Sequence, residues 1–231
     1  MGPGLKKHYF RIPGFEPAQP YIIRLPVVLP LLARRLEPAD LGWATALLEA
    51  SCAAHPVLRY CCAGPGHPAR RTWLLAQLLR FGLRFGRVYG SAEGNALAVW
   101  LGPRHPVATL GQLLQVGLLP AVWWRFGWAG FQRLRLVRRR MVELRRQSAP
   151  AAHHYYLLAL VVSSGSRGRG VGRRLLQATL AAMQTAATPC FLDTQQPAQL
   201  IFFHRLGFRV VGQCRVGPGA GAPTNWAMMR P

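Results

Sequence analysis

The stretch that decides the fold reads His154-Tyr155-Tyr156-Leu157-Leu158-Ala159-Leu160-Val161-Val162 and continues Ser163-Ser164-Gly165-Ser166-Arg167-Gly168-Arg169-Gly170-Val171-Gly172-Arg173-Arg174-Leu175-Leu176-Gln177. From His154 to Val162 the chain is apolar on both alternating faces, the pattern of a strand buried on both sides. A helix beginning near Gly170 puts Val171, Leu175, Leu176, Thr179, Leu180 and Met183 on one side, so the glycines fall in a strand-to-helix turn. Such a turn is an anion cradle. Lacking side chains, Gly168, Gly170 and Gly172 let backbone N–H groups approach a phosphate, and the first helical turn adds its positive dipole end. Arg167, Arg169, Arg173 and Arg174 stand ready to add charge-assisted contacts.

Taken alone, the turn is compatible with a dinucleotide loop or a plain tight turn. Asp193 lies about 20 residues on, as a ribose-binding acid would, but the G-x-G-x-x-G spacing is missing. The absent Gly-Lys-Ser/Thr ending excludes a P-loop.

Upstream, Arg87–Ser91 and Asn95–Leu101 read as a hairpin turning through Ala92, Glu93 and Gly94. A helix from Pro68 to Phe85 precedes it, and an earlier one opens at Pro38, with Asp40 in its first turn, and runs through Leu47, Leu48 and Ser51. The first strand is expected within Val27–Leu36, at an edge, because Pro30 has no N–H for a ladder. Residues 1–26, with five prolines, form an N-terminal extension; residues 27–231 form one domain. A chain of 231 residues with 51% apolar content has material for one substantial core.

Pro106–Trp124 carries no charge and is followed by Arg125, Arg133, Arg135 and Arg138–Arg140. Gly111, Gln112, Gln115, Gly117 and Pro120 argue against a membrane span, and two amphipathic helices joined at a Pro120 break fit the run better. Trp123, Trp124, Phe126, Trp128 and Phe131 then either pack on a sheet or meet a lipid interface beside the arginines, so peripheral membrane contact stays open.

Lys+Arg number 29 against 7 Asp+Glu, a formal net charge of +22, and Lys6 and Lys7 are the only lysines. This field attracts polyanions and repels polycations, although arginine-rich decoration of a solvated surface produces the same balance. No nucleic-acid motif accompanies the arginines, which argues against that partner. The five cysteines are odd in number and lack a two-residue gap, so they read as reduced thiols of a cytoplasmic protein. The apolar run Leu25–Ala33 is broken by Pro26 and Pro30 and closed by Arg34 and Arg35, unlike a secretory leader.

Arg167-Gly168-Arg169-Gly170-Val171-Gly172 resembles the Q/R-x-x-G-x-G/A motif with which GNAT acyltransferases hold the coenzyme A pyrophosphate between their fourth strand and third helix. The elements that follow are similar too. Cys190–Thr194 resembles the fifth strand, Ala198–Leu206 the short fourth helix, Leu206-Gly207-Phe208 the turn into a sixth strand ending at Val216, and Asn225–Arg230 the closing strand. The similarity is specific from Tyr155 to Val211 and follows the order of elements back to Leu36. It implies an α/β (α+β) GNAT fold: a mixed, mostly antiparallel sheet splayed between strands four and five, flanked by helices, with a helical insertion before strand four. It also implies acetyl-CoA as co-substrate, its pantetheine arm on backbone groups of Leu160, Val161 and Val162, and its phosphates on Arg167, Gly168, Arg169, Gly170, Val171, Gly172 and Arg173.

The resemblance further implies a tyrosine in the fourth helix that protonates the departing thiolate, but alignment on Leu206-Gly207-Phe208 puts Phe203 there. His204 points about 100° away and does not substitute. The asparagine that the resemblance implies near the start of that helix is replaced by Gln199, which either bonds to the pantetheine as a further contact or leaves it unmatched. Losing a general acid costs about 10²–10⁴ in rate, while a thiol with a pKa near ~8.5 still leaves tolerably. Candidate bases for the amine are His153 or His154 and Glu143. Two activities follow: acyl transfer to a small-molecule amine by direct attack in a ternary complex, or acyl-CoA sensing by a degenerate site. With few acids to line a cation site, acceptors that are neutral or carry a carboxylate or phosphate are expected over polycations. Oligomeric state leaves no mark on the sequence.

Overall fold

Every residue of strand β3, Ala96–Leu101, is buried, because helices cover both of its faces. Ala96, Ala98 and Trp100 enter one core, and Leu97, Val99 and Leu101 the opposite side, as the two-residue period of a strand requires. The computed structural model describes residues 33–231 except 65, 104–108, 116, 149–152, 184–187 and 220. Around β3 stand β1 (Arg34–Arg35), β2 (Gly86–Gly90), β4 (Tyr155–Val162), β5 (Cys190–Thr194), β6 (Arg209–Arg215) and β7 (Thr224–Arg230). They form one sheet in the order β1-β2-β3-β4-β5-β7-β6, antiparallel except for the parallel pair β4·β5. The expected mixed, mostly antiparallel sheet is therefore present. The expected N-terminal extension, 1–26, and Pro30 lie outside the described residues, and the expected first strand is seen as Arg34–Arg35.

The helices are α1 (Leu41–Ser51), α2 (Pro56–Cys62), α3 (His67–Phe85), α4 (Leu110–Gln115), α5 (Leu118–Ser148), α6 (Val171–Met183) and α7 (Pro197–His204). A short 3-10 turn at Pro38–Asp40 leads into α1, and its capping box has Asp40 accepting the Glu37 N–H at 2.9 Å. On one face of the sheet α6 and α7 bury Leu175, Leu176, Leu180, Met183 and Phe203 against Trp100, Leu157, Leu192 and Met228. The Trp100 Nε1–H donates to Thr179 Oγ1 at 3.2 Å, so the buried indole satisfies its polar atom within the same interface. On the other face α1 and α3 bury Ala44, Leu48, Leu75 and Leu79 against Val88, Leu97, Val99 and Val161.

Two local readings need correction. The Pro56–Cys62 helix was not anticipated, since a seven-residue helix between His55 and Ala63 shows little periodicity. The insertion does not break at Pro120, which lies in the first turn of α5, where a missing N–H costs nothing. It breaks between Gln115 and Leu118, where Gly117 has a φ of 68°, and again at Gly127, whose φ of 62° interrupts α5 in mid-course.

Candidate active site

The parallel ladder between β4 and β5 is short: Tyr155 faces Cys190, Tyr156 faces Phe191 and Leu157 faces Leu192. Beyond these pairs β4 continues to Val162 and β5 to Thr194 without pairing to each other, and a fork opens in the sheet. The cause lies at Leu158. Against β3, Leu157 pairs with Trp100 and Ala159 with Val99, so Leu158 is an extra residue on β4. Side-chain facing confirms the insertion: Tyr155 and Leu157 pack into the α6/α7 core, and after the bulge Leu160 and Val162 do so. A bulge bends its strand and increases the local twist, which turns β4 away from β5.

Beyond the bulge the ladder with β3 also fixes which backbone groups face the fork. Ser163 N–H donates to Asn95 O at 2.8 Å, and hydrogen-bonded pairs alternate along an antiparallel ladder. Ala159 and Val161 therefore turn their N–H and C=O toward β3, whereas Leu160 and Val162 turn theirs toward the fork. Of the three residues that the resemblance singled out, Leu160 offers backbone to the gap and Val162 offers its N–H, its C=O already accepting from Ser51 Oγ and Arg167 Nε at 3.3 Å each. Val161 does not.

At the open end β4 runs through a 3-10 turn, Ser164–Ser166, into the glycine turn and α6. Gly168 and Gly170 both have φ of 75°, the left-handed region that L side chains avoid. A Cβ at Gly172 would stand 2.9 Å from Val162 Cγ2, so that glycine lets α6 start tight against the end of β4. A Cβ at Gly165 or Gly168 would meet no atom within 4 Å, which leaves that side of the turn open. Arg169, Arg173 and Arg174 are exposed around it. Arg167 is partly committed to structure: its Nε donates to Val162 O and its Nη2 to Ser51 O, both at 3.3 Å, tying the turn to the ends of β4 and α1. Arg174 Nη1 donates to Arg169 O at 3.0 Å and braces the turn from within.

Across the fork, Thr194 Oγ1 donates to Gln199 Oε1 at 2.6 Å, joining the end of β5 to the first turn of α7. Phe203 is buried, its ring centroid 5.1 Å from Phe202 and 5.9 Å from Phe208. The aromatic that reaches toward α6 is Phe202, whose Cζ lies 3.9 Å from the Cβ position of Gly172.

Where the strands part, the structure places a buried polar group that the sequence had suggested only as a rejected ribose ligand. Asp193, one residue past the last β4·β5 pair, accepts from Arg145 Nη2 and from Tyr156 O–H at 3.0 Å each, and from Asn225 Nδ2 at 2.8 Å. Gln195 and Asn225 are hydrogen-bonded behind it. Burial pushes the Tyr156 phenol above its ordinary range. The only advance signal was an acid in an apolar strand of a chain with seven acids.

The candidate bases do not converge on the fork. His154 precedes β4 at its paired end, roughly 13 Å along the strand from Leu158. Its ring is buried 5.5 Å from Phe191, and neither ring nitrogen finds a hydrogen-bond partner among the described residues. Burial lowers its pKa, Arg145 lowers it further and Asp193 opposes both. His153 is exposed, and Glu143 lies on the exposed side of α5, 3.9 Å from Arg140.

A family model for the acetyltransferase (GNAT) domain matches residues 132–210, the span from mid α5 through the fork, the glycine turn and α7. Residues 132–210 are thus similar to a GNAT acetyltransferase domain. Solved structures share the fold: a histone acetyltransferase HPA2 and related acetyltransferase from Corynebacterium glutamicum is similar at 20% identity and a TM-score of 0.59, over 87% of this chain and 95% of that one. Arylalkylamine N-acetyltransferase 2 from Aedes aegypti is similar at 13% identity and a TM-score of 0.62, over 86% and 97%. A polyamine N-acetyltransferase from Drosophila melanogaster that forms N-acetylagmatine is similar at 16% identity and a TM-score of 0.55, over 86% and 98%. At these identities the likeness is one of GNAT fold.

Proposed function

We propose that this protein is a GNAT acyl-CoA-dependent N-acyltransferase that moves acetyl from acetyl-CoA to the amine of a small molecule. One observation carries the reading: backbone groups of Leu160 and the N–H of Val162 turned into a fork that leads directly to an open, left-handed glycine turn at a helix N-terminus. The fork suits an extended amide-bearing arm. Amides freed by Gly168 and Gly170, with the dipole of α6 and Arg169 and Arg173 nearby, suit a diphosphate. Gln199, at the far wall, is a further contact for the arm.

The amine nitrogen, once deprotonated, attacks the thioester carbonyl carbon; the C–S bond breaks and the thiolate takes a proton from water, because Phe203 has none to give. Carbonyl and amine are held together in one ternary complex, and this proximity supplies most of the acceleration. The +22 charge and the engagement of Asp193 by three donors favour acceptors that are neutral or carry a carboxylate or phosphate. On this reading the enzyme works in the cytoplasm, and its five free cysteines support that setting.

A second reading, an acyl-CoA sensor without turnover, is favoured by Phe203 alone. Calorimetry with acetyl-CoA and a thiol-release assay over an amine panel test both. Binding with turnover supports the transferase, binding without it the sensor, and the absence of binding to acetyl-CoA and to free coenzyme A would refute both.

A further inference from the structure

The tryptophans of the insertion do not pack on the sheet. Trp123, Trp124 and Trp128 are 50%, 88% and 59% exposed, and Leu114 on the neighbouring helix is 53% exposed. Trp123 and Trp128 are also gathered. The Trp123 centroid lies 5.3 Å from that of Trp128, and Phe131 stands 5.8 Å and 6.2 Å from the two. The Gly127 break brings rings from both halves of α5 together. The opposite side of α5 is anchored, with Val122 and Phe126 buried against Cys62, and Val137 against Cys61 and Val216. The aromatic cluster is thus the outward face of a helix already seated on the domain.

Charge continues the same face. At about 100° per residue, Trp128, Arg135, Arg139 and Arg146 fall within one narrow sector of the helix after Gly127, and all four are exposed. From Leu110 to Val142 the chain contains no acid. Tryptophans at the tip of an arginine-bearing face match the chemistry of a lipid boundary, where indoles sit at headgroup level and cations meet phosphates. Single-stranded nucleic acid fits less well, because Trp123, Trp128 and Phe131 pack on one another and leave Trp124 alone as a separate stacking platform on this face. A second copy would set like-charged arginines against each other.

We infer that this face of α5 docks the protein on an anionic lipid surface, with Trp123, Trp124 and Trp128 at headgroup depth and Arg135, Arg139 and Arg146 against lipid phosphates. The inference does not depend on the transferase reading.

Co-sedimentation of the full chain with phosphatidylcholine vesicles, plain or containing roughly one third phosphatidylglycerol, tests it, with tryptophan quenching by brominated lipid as the depth readout. Anionic vesicles are expected to bind at least about tenfold more tightly than neutral ones, with quenching. The pair Trp124→Ala and Trp128→Ala, and separately the triple Arg135→Glu, Arg139→Glu and Arg146→Glu, are each expected to weaken binding by about tenfold or more, with unchanged melting temperature and acetyl-CoA binding. Failure to bind anionic vesicles overturns the proposal, as does binding that persists without the tryptophans. Tryptophan-dependent self-association in sedimentation velocity, or tryptophan-dependent displacement from vesicles by a single-stranded oligonucleotide, would also overturn it, in favour of a second copy or of nucleic acid.

Discussion

Arg145 reaches across from α5 to place its Nη2 3.0 Å from Asp193 Oδ2, and the two side chains are only 7% and 1% exposed. The guanidinium also lies 3.6 Å from the centroid of the Tyr156 ring. The insertion is therefore fastened to the sheet at the residue where β4 and β5 part.

A buried pair of this kind is strongly destabilised when one partner is removed, because the other charge is left uncompensated. Arg145→Met is expected to cost about 3–5 kcal/mol in denaturant unfolding. Adding Asp193→Asn should recover about 1–3 kcal/mol of the sum of the single losses, the coupling of groups within one network. Strict additivity would show that the contact is incidental.

At the glycine turn, backbone conformation and ligand access separate. Gly168→Ala puts a methyl in open space but at φ 75°, and is expected to cost about 1–2 kcal/mol of stability. Acetyl-CoA affinity should fall by about tenfold or more. Gly165→Ala, in equally open space without a left-handed φ, should leave stability within about 0.5 kcal/mol. Calorimetry and thermal unfolding on the same samples distinguish the two effects.

Phe203→Tyr restores the phenol expected at that position. Because Phe203 is enclosed by Phe202 and Phe208, the added hydroxyl is expected to cost about 1–3 kcal/mol and to leave kcat within about twofold. A faster enzyme would instead show that the ring edge borders the reacting sulfur.

His55 and His154 are both held below the ordinary histidine pKa, chiefly by burial. Between the lowered folded value and the unfolded value near ~6.5, the unfolded chain binds more protons, so stability must rise with pH there. The melting temperature should be lower at about pH 5.5 than at about pH 7.5, and His154→Leu should flatten part of that slope.

Acceptor charge offers a kinetic test. A small amine bearing a carboxylate should exceed spermidine in kcat/KM by about tenfold or more, since the field of the protein opposes a polycation's approach. A preference for spermidine would require a carboxylate site that the charge balance does not suggest.

How much of this was written in the sequence differs element by element. Cys190–Thr194 was delimited to the residue, and the strand, turn and helix around Gly168 within one residue, because short apolar runs between glycines and prolines have few alternative readings. The insertion is legible as helical, but the sequence points to Pro120 for its break. A proline in a first turn costs nothing, and the φ of Gly127 leaves no mark on the sequence. Asp193 was visible but without partners, since Arg145 and Asn225 meet it from elements 48 and 32 positions away. Val161 was grouped with its neighbours because sequence names the strand and not the register; the bulge decides which amides face the gap.

Leu158 is the single amino acid by which β4 exceeds β3 over their paired stretch, and the sheet splits where it is inserted. Deleting it would restore strict alternation from Tyr155 onward with every later side chain kept on its present side and, with the bend gone, let β4 zip to β5 through Asp193 and Thr194. The gap is a counting mismatch between adjacent strands, and a sheet with matched counts would leave the glycine turn facing a closed seam.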